Sequence, residues 1–156
     1  MIEKEDIKKI KEIAEEFFEK MTISALKIEA GSSDTGTGDV IDLDIKLDEP
    51  QILIGEKGQT LFEIQRLLKT VLNKKLQKIF YLNLDINDYK KKKIEYLKNL
   101  AKGLADEVAL NKEEKVLFPM PAYERRVIHA ELSQRTDIIT ESQGEGQDRH
   151  IIIKPK

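Results

Sequence analysis

The spacing of apolar residues predicts a helix and two strands in the first third of the chain. Over residues 2–21 apolar residues recur every three or four positions, which is typical of an amphipathic helix. Residues 22–30 are expected to form a strand, and residues 41–47 alternate apolar and polar side chains as a half-buried strand does. The nine turn-forming residues between them, "GSSDTGTGD", predict a hairpin with a long mobile tip.

A pair of glycines marks the start of the next helical pattern. In "QILIGEKGQTLFEI", residues 51–64, an apolar run meets two glycines three positions apart. Apolar residues then recur at helical spacing as far as Leu72. The pattern predicts a break near residues 73–77, so that two helices follow the glycine turn.

The rest of the chain predicts a third strand, a long helix and a second small α/β arrangement. Residues 80–86 alternate apolar and polar side chains, and Asn87 or Asp88 is expected to cap a helix that ends near Leu110. A short strand, a helix and two strands are then expected in "VLF", "PMPAYERRVIHAELSQ", "DIITES" and "RHIII". The predicted fold class is therefore α+β.

Composition favours a folded protein in a reducing compartment. The 156 residues are 40% hydrophobic and 36% charged, which is typical of a charge-rich globular chain. There is no cysteine, so disulfides and thiol chemistry are excluded. No apolar run reaches membrane-spanning length, and the first residues lack the apolar core of a signal peptide. We therefore expect a cytoplasmic protein without a membrane partner.

The charges are unevenly distributed, although the net charge is only −2. Residues 1–56 hold 7 Lys and Arg against 15 Asp and Glu, whereas residues 57–102 hold 12 against 4. A basic segment between acidic flanks indicates a polyanionic partner more directly than the net charge does. The alternative is that these lysines only keep helix faces solvated.

The glycine turn at residues 55–58 does not fit the common nucleotide-binding motifs. A P-loop needs glycine, four residues and then Gly-Lys-Ser/Thr, and here Lys57 precedes the second glycine. A dinucleotide-binding turn needs three glycines, and only two are present. The turn either presents backbone N–H groups at a helix N-terminus, where a phosphate is favoured, or simply turns the chain.

In its context the turn resembles the Gly-x-x-Gly loop of a type II KH domain, which holds about four nucleotides of a single strand. The resemblance covers residues 1–86. It implies a loop that contacts the nucleic-acid backbone, a groove between the following helix and the adjacent strand, and added charge along that helix. The residues implied are Gly55, Glu56, Lys57 and Gly58 in the loop, Ile54, Thr60, Leu61 and Ile64 in the groove, and Arg66 and Lys69 on the helix.

One loop residue departs from the family pattern. The two variable positions of such loops are commonly basic or neutral, and here the first is Glu56. A carboxylate beside a phosphate weakens binding unless it points away or pairs with Lys57. We expect neighbouring lysines to compensate for it. These are Lys74, Lys75, Lys78 and the run at residues 90–93.

A second motif lies in the last third of the sequence. Arg125 and His129 are four residues apart, so on a helix they share a face. Arginine offers planar donors suited to phosphate, although a histidine taken alone is more often structural. The segment from residue 119 onward resembles the R-three-H domain, named for arginine, three residues and histidine, which binds single-stranded nucleic acid. The matching residues are Arg125, His129, Thr140, Ser142, Gly144, Arg149 and the apolar last strand.

The order of these two domains resembles the Jag family of bacterial RNA-binding proteins, also called SpoIIIJ-associated or KhpB proteins. The resemblance implies a KH domain over residues 1–86, a linking helix over 87–110 and an R-three-H domain over 111–156. It also implies a small single-KH protein as partner, or self-association. Many members carry a Jag-N domain ahead of the KH domain, and this sequence is expected to lack it.

No catalytic residue, metal site or cofactor is expected. The only histidines are His129 and His150, neither beside carboxylates at metal-ligand spacing, and there is no nucleophile elbow. The sequence therefore predicts a non-catalytic protein that binds single-stranded RNA, as a bacterial post-transcriptional regulator or RNA chaperone. Two alternatives stay open: a protein-interaction module in which the glycine turn is structural, and a binder of single-stranded DNA.

Overall fold

The computed structural model describes residues 2–34 and 38–156, which fall into two compact units, Met1–Lys90 and Lys91–Lys156. Each unit contains one three-stranded sheet together with helices, so the α+β prediction is confirmed. The middle of the predicted hairpin tip, residues 35–37, lies outside the described residues. The predicted domain limits at residues 86 and 110 stay a prediction.

The first unit has the predicted order of helix, two strands, two helices and a strand. Its elements are α1 (Lys4–Lys20), β1 (Lys27–Asp34), β2 (Asp39–Lys46), α2 (Gln51–Ile54), α3 (Gln59–Leu76) and β3 (Tyr81–Ile86). A single 3-10 turn at Glu56–Gly58 separates the last two helices. β1 pairs antiparallel with β2, and β2 pairs parallel with β3. β3 is therefore at an edge of the described sheet.

The alternating pattern of residues 41–47 is confirmed as the central strand. The apolar residues of β2 are buried and the polar residues between them are partly exposed. One face of the sheet packs against α1 and α3, because both helices bury their apolar stripe there. The fully buried side chains of this core include Ile10, Phe18, Ile41, Leu43, Ile45, Leu61, Leu68, Leu72, Leu84 and Ile86.

The first strand and the helix after the glycine turn differ from their predictions. β1 begins at Lys27 rather than residue 22 and continues into the predicted loop. The predicted break at residues 73–77 coincides with the end of α3 at Leu76, but the predicted restart is wrong, because no second helix lies between α3 and β3. The helix ends where Gln77 takes a left-handed conformation, with φ of 54°. The second helix of the pair is α2, which precedes the glycine turn.

A buried carboxylate joins β3 to the next helix, α4 (Tyr89–Asn111). Asp85 is 4% exposed, and its Oδ1 accepts the N–H of the following residue at 2.8 Å and the N–H of Lys90 at 3.0 Å. The Lys90 bond caps the first turn of α4. Asn87, predicted as a cap, instead pairs its carboxamide with the backbone N–H and C=O of Leu47.

The second unit packs most of α4 and one further helix against a small sheet. Its elements are β4 (Lys115–Val116), α5 (Ala122–Leu132), β5 (Ile138–Gln143) and β6 (His150–Pro155), in the predicted order. β6 is the central strand and pairs antiparallel with both neighbours. The buried face of α4, namely Leu97, Ala101, Ala105 and Val108, belongs to this core. Across the part of the chain that the structure describes, no helix is long and apolar enough to cross a membrane.

Removing the Asp85 carboxylate is expected to destabilise the first unit. Asp85→Ala leaves the Lys90 N–H without its side-chain acceptor, and the loss of a helix cap costs about 1–2 kcal/mol. Urea unfolding followed by circular dichroism measures the loss. The matched control is Asp48→Ala, because Asp48 is exposed, and a change below about 0.5 kcal/mol is expected there. Equal stability of the two variants would contradict the cap.

Candidate nucleic-acid interface

Both glycines of the turn are required by backbone conformation and by close neighbours. Gly55 has φ of 71° and Gly58 has φ of 81°, a region that favours glycine. A Cβ at Gly55 would lie 2.0 Å from Thr60 Oγ1, and one at Gly58 would lie 2.7 Å from Cε1 of the Tyr89 ring. Tyr89 therefore supports the turn. Residue spacing does not predict this contact, because the two residues lie on different elements far apart in sequence.

The two residues between the glycines are exposed. Lys57 also takes a left-handed conformation, with φ of 52°. Among the described residues, neither the Glu56 nor the Lys57 side chain has a hydrogen-bond or ion-pair partner, so Lys57 does not neutralise the carboxylate. No side chain caps the first turn of α3, although the backbone C=O of Glu56 accepts the N–H of Gln59. The remaining N–H groups of this turn have no side-chain acceptor and are suited to water or an anion.

The four residues predicted to line the groove have different environments. Leu61 is fully buried and Ile64 is 8% exposed, so both belong to the core and offer little surface to a ligand. Ile54 and Thr60 are half-buried beside the glycine turn. Helical spacing explains the difference, because Leu61 and Ile64 lie on the stripe of α3 that packs against the sheet.

Polar and basic side chains meet where α3 lies beside β3. The Gln65 Oε1 accepts the N–H of Leu84 at 2.9 Å and the Lys90 ammonium at 2.6 Å. The same ammonium donates to Asn83 Oδ1 at 3.1 Å and lies 5.0 Å from the centre of the Phe62 ring. We call these five residues the edge cluster. Apart from Lys90, no residue of the edge cluster has a binding role predicted from the sequence. The spacing of residues within a helix or a strand does not show which residues of two elements contact each other.

The basic residues of this unit differ in how far their charged groups are exposed to solvent. Burial lowers the pKa of the Lys90 ammonium, although the negative charges of Asp85 and Asp42 oppose the shift. Arg66 is exposed, and Lys69 lies with its Nζ 5.0 Å from the centre of the Tyr81 ring. Arg66 and Lys69 are therefore both on the surface of the unit, as their predicted role requires.

Carboxylates neutralise part of the basic segment. Lys75 Nζ lies 3.1 Å from Glu16 and Lys78 Nζ lies 2.6 Å from Asp6, both on α1. The expectation that Lys75 and Lys78 compensate for Glu56 is therefore wrong, because the acidic first helix already balances them. In the second unit, Glu131 pairs in the same way with two lysines of α4, at 2.8 and 3.7 Å.

Three other lysines lie over aromatic rings. Lys69 and Lys90 approach ring centres at 5.0 Å, and Lys93 approaches the Tyr96 ring at 5.6 Å. An aromatic ring attracts a cation but carries no net charge. Unlike the lysines paired with carboxylates, these three keep a positive charge that no ion pair in the described structure cancels.

The second unit brings together the residues of the Arg-x-x-x-His motif. His129 Nδ1 lies 2.8 Å from Thr140 Oγ1, and its Nε2 lies 2.9 Å from Ser142 Oγ, so two hydroxyl groups of β5 hold the imidazole. Arg125 Nη1 donates to the C=O of Met120 at 2.6 Å. The sequence match at Thr140 and Ser142 thus has a physical basis, because these residues orient the ring.

The environment of His129 favours its neutral form. Burial lowers the pKa of the imidazole, and the positive charge of Arg125 lowers it further. A neutral imidazole has one N–H donor and one acceptor nitrogen, and a hydroxyl group can serve either. The His129 side chain on α5 therefore connects this helix to β5 through its two hydrogen bonds.

The exposed Arg149 is fixed through its backbone. Its C=O accepts the N–H of Met120 at 3.1 Å, so Arg125 and Arg149 are both tied to one residue. Gly144 has φ of 85°, and a Cβ there would lie 2.8 Å from the backbone oxygen of Asp148. Glycine is therefore required in the loop that leads to Arg149. Within residues 2–34 and 38–156, no group of three or more His, Asp and Glu is placed to hold a metal ion.

A side chain at Gly58 is expected to destabilise the first unit. Gly58→Ala adds a Cβ that overlaps the Tyr89 ring in a left-handed conformation, which costs about 1 kcal/mol or more. Gly103→Ala is the matched control, because nothing lies within 4 Å of its Cβ and it is in a helix, where alanine is favoured by about 0.5–1 kcal/mol. Thermal unfolding gives both values, and a Gly58→Ala protein as stable as Gly103→Ala would rule out the close contact.

The stability of the second unit is expected to depend on His129. Its folded pKa is depressed, so below about pH 6.5 the unfolded state binds a proton that the folded state resists. Stability therefore rises with pH through this range and is lost as the pH falls. Proton NMR titration measures the pKa, with His129→Gln to assign the signal, and a value of 6.5 or higher would disagree with the structure.

Comparison with known proteins bears on both units. Residues 95–155 match the model of the R-three-H domain family. The chain is 40% identical over 116 residues to the RNA-binding protein KhpB of Clostridium symbiosum, an alignment that covers 74% of this chain and 52% of that protein. It is 39% identical over 107 residues to the RNA-binding protein KhpB of Bacillus subtilis (strain 168), covering 67% and 51%. Identity to the KhpB of Streptococcus pneumoniae serotype 2 is 28% over 131 residues, covering 84% and 40%.

These alignments are longer than the stretch matched by the domain family, so the similarity extends beyond the second unit. The chain spans about half the length of the first two relatives. The family match begins inside α4, in agreement with the helix face that is buried in the second core. The chain therefore contains an R-three-H domain at residues 95–155 and is a homologue of the KhpB proteins that it matches.

Proposed function

We propose that this chain is a non-catalytic protein that binds single-stranded RNA. The observation that supports this most is the Arg125 and His129 face in a unit that matches the R-three-H domain, together with relatives named RNA-binding proteins. Arg149 is exposed and shares its anchor, Met120, with Arg125. Guanidinium groups suit phosphate because their donors match its oxygens.

We propose further that the first unit acts as a type II KH domain. Its element order and the uncapped helix after the Gly-x-x-Gly turn support this. In this proposal the loop N–H groups and Lys57 contact phosphates, and Arg66 and Lys69 add charge along α3. Ile54 and Thr60 border the loop end of the groove, and the edge cluster borders its side along β3.

Two binding units on one chain reinforce each other, since binding by one raises the effective concentration of the other. The protein is then a post-transcriptional regulator or RNA chaperone in the bacterial cytoplasm, with a small single-KH protein or a second copy as partner. The competing proposal is a protein-interaction module with a structural glycine turn. The exposed Glu56, whose carboxylate has no partner among the described residues, is the observation that favours it.

Binding of RNA is expected to be salt-dependent and to need both units. Fluorescence anisotropy with a labelled single strand of about 20 nucleotides, at two salt concentrations, measures it. Lys57→Gln and Arg149→Gln are each expected to weaken binding several-fold and to reduce the salt slope by about 1, because each removes one phosphate contact. Lys4→Gln, an exposed change on the acidic first helix, is the matched control and should bind as the unchanged protein does.

The same titration separates the alternatives. Competition by DNA of the same sequence tests the role of the ribose 2′-hydroxyl, which a binder specific for RNA contacts. Absence of binding at low salt, or equal affinity in a Lys57→Gln and Arg149→Gln double variant, would contradict the proposal. The protein-interaction module would then be the remaining hypothesis. A protein partner that stays bound to this chain after nuclease treatment would support it.

A further inference from the structure

Two exposed aromatic rings in the second unit share one lysine. Tyr96 is 53% exposed and Phe118 is 44% exposed. The Lys93 Nζ lies 5.6 Å from the centre of the Tyr96 ring and 5.9 Å from the centre of the Phe118 ring. We call these three residues the aromatic cluster. The cluster therefore presents two accessible aromatic rings beside one cation.

The backbone holds both rings at fixed positions. Tyr96 lies on α4 one turn after Lys93 and directly before the fully buried Leu97. Phe118 follows Leu117, which is 5% exposed and donates its N–H to the C=O of a β6 residue at 2.9 Å. The rings are thus exposed, although the chain that carries them is anchored in the core. Little backbone freedom would be lost when a ligand binds to them.

The charge around the rings suits a polyanion. Within the described residues, Lys93 has no carboxylate partner, and Lys92 beside it is exposed. On the other side, Phe118 is two residues before Met120, whose C=O anchors the Arg125 guanidinium at 2.6 Å. Two residues span at most about 7 Å of chain. The backbone of Phe118 therefore lies near the carbonyl that holds Arg125, the arginine that the R-three-H motif offers to phosphate.

We propose that the aromatic cluster is a stacking site for an unpaired base of single-stranded RNA. This proposal rests on the proposed function, RNA binding. It adds contacts to a base, which the Arg125 and His129 face does not supply. Without RNA, the ammonium occupies the ring faces. A bound nucleotide brings a base to stack on the rings and a phosphate to accept the Lys93 charge, so both partners of the cation–π contact are replaced.

A base fits this cluster better than an apolar protein surface does. Every base has a π-face, so stacking on tyrosine or phenylalanine tolerates any sequence. A protein interface centred on these rings would have to bury the Lys93 charge beside them, which is unfavourable without a carboxylate from the partner. RNA leaves that charge paired with phosphate at the surface.

The test compares ring-removing variants of the full chain in the RNA titration. Tyr96→Ala and Phe118→Ala are each expected to weaken binding roughly fivefold or more while leaving the salt slope unchanged, because stacking is lost but no charge is removed. Tyr96→Leu keeps apolar surface but should weaken binding similarly. Lys93→Gln should reduce the salt slope by about 1. Leu110→Ala, at an 82% exposed position of the same helix, is the matched control and should change nothing.

A second readout reports stacking directly. RNA containing 2-aminopurine should lose fluorescence on binding the unchanged protein and lose less on binding Tyr96→Ala, whose exposed helix position keeps the fold intact. If the unchanged protein binds but both alanine variants bind equally well with the same quenching, the stacking site is wrong and RNA binding stands. If the unchanged protein does not bind RNA, both proposals fail. Loss of self-association in Tyr96→Ala, with RNA binding intact, would make the cluster a protein interface instead.

Discussion

The parallel pairing of β2 with β3 sets the form of the first unit. Parallel neighbours cannot be joined by a tight hairpin, so the chain must cross the sheet and return before the second strand begins. Here the crossover is α2, the glycine turn and α3. α2 is one turn long, and the four residues 55–58 connect it to α3. Three of these residues, Gly55, Lys57 and Gly58, have positive φ, which separates the two helices.

That crossover also explains why the candidate contacts are where they are. The turn leaves the start of α3 without a side-chain cap, and its second glycine lies against Tyr89 at the start of the following helix. α3 then runs beside the edge strand β3. There the Gln65 side-chain oxygen accepts hydrogen bonds from the N–H of Leu84 and from the Lys90 ammonium. The loop, the edge cluster and the beginning of α4 therefore depend on one another.

The sequence predicted the elements well and their contacts poorly. Period-two alternation located β2 and β3, and the motif residues Arg125, His129, Thr140 and Ser142 do come together. Helical spacing identifies an apolar stripe on α3 but not which of its residues stay exposed. The KH resemblance implies that Leu61 lines a groove, whereas Leu61 lies in the core. The contacts of Gly58 with Tyr89 and of Gln65 with Lys90 join residues that are distant in sequence. The periodicity of apolar residues within one helix or strand cannot predict such contacts.

The partners of the lysines, which the sequence does not show, determine which positive charges are available to a ligand. A count of lysines in residues 57–102 treats them alike, whereas the structure divides them by partner. Lys75 and Lys78 are paired with carboxylates of α1, so their charges are balanced locally and act little on a distant anion. Lys69, Lys90 and Lys93 lie over rings that hold an ammonium in place without cancelling its charge. An acidic protein can thus retain local positive sites, because its acidic helix neutralises only the lysines that it reaches.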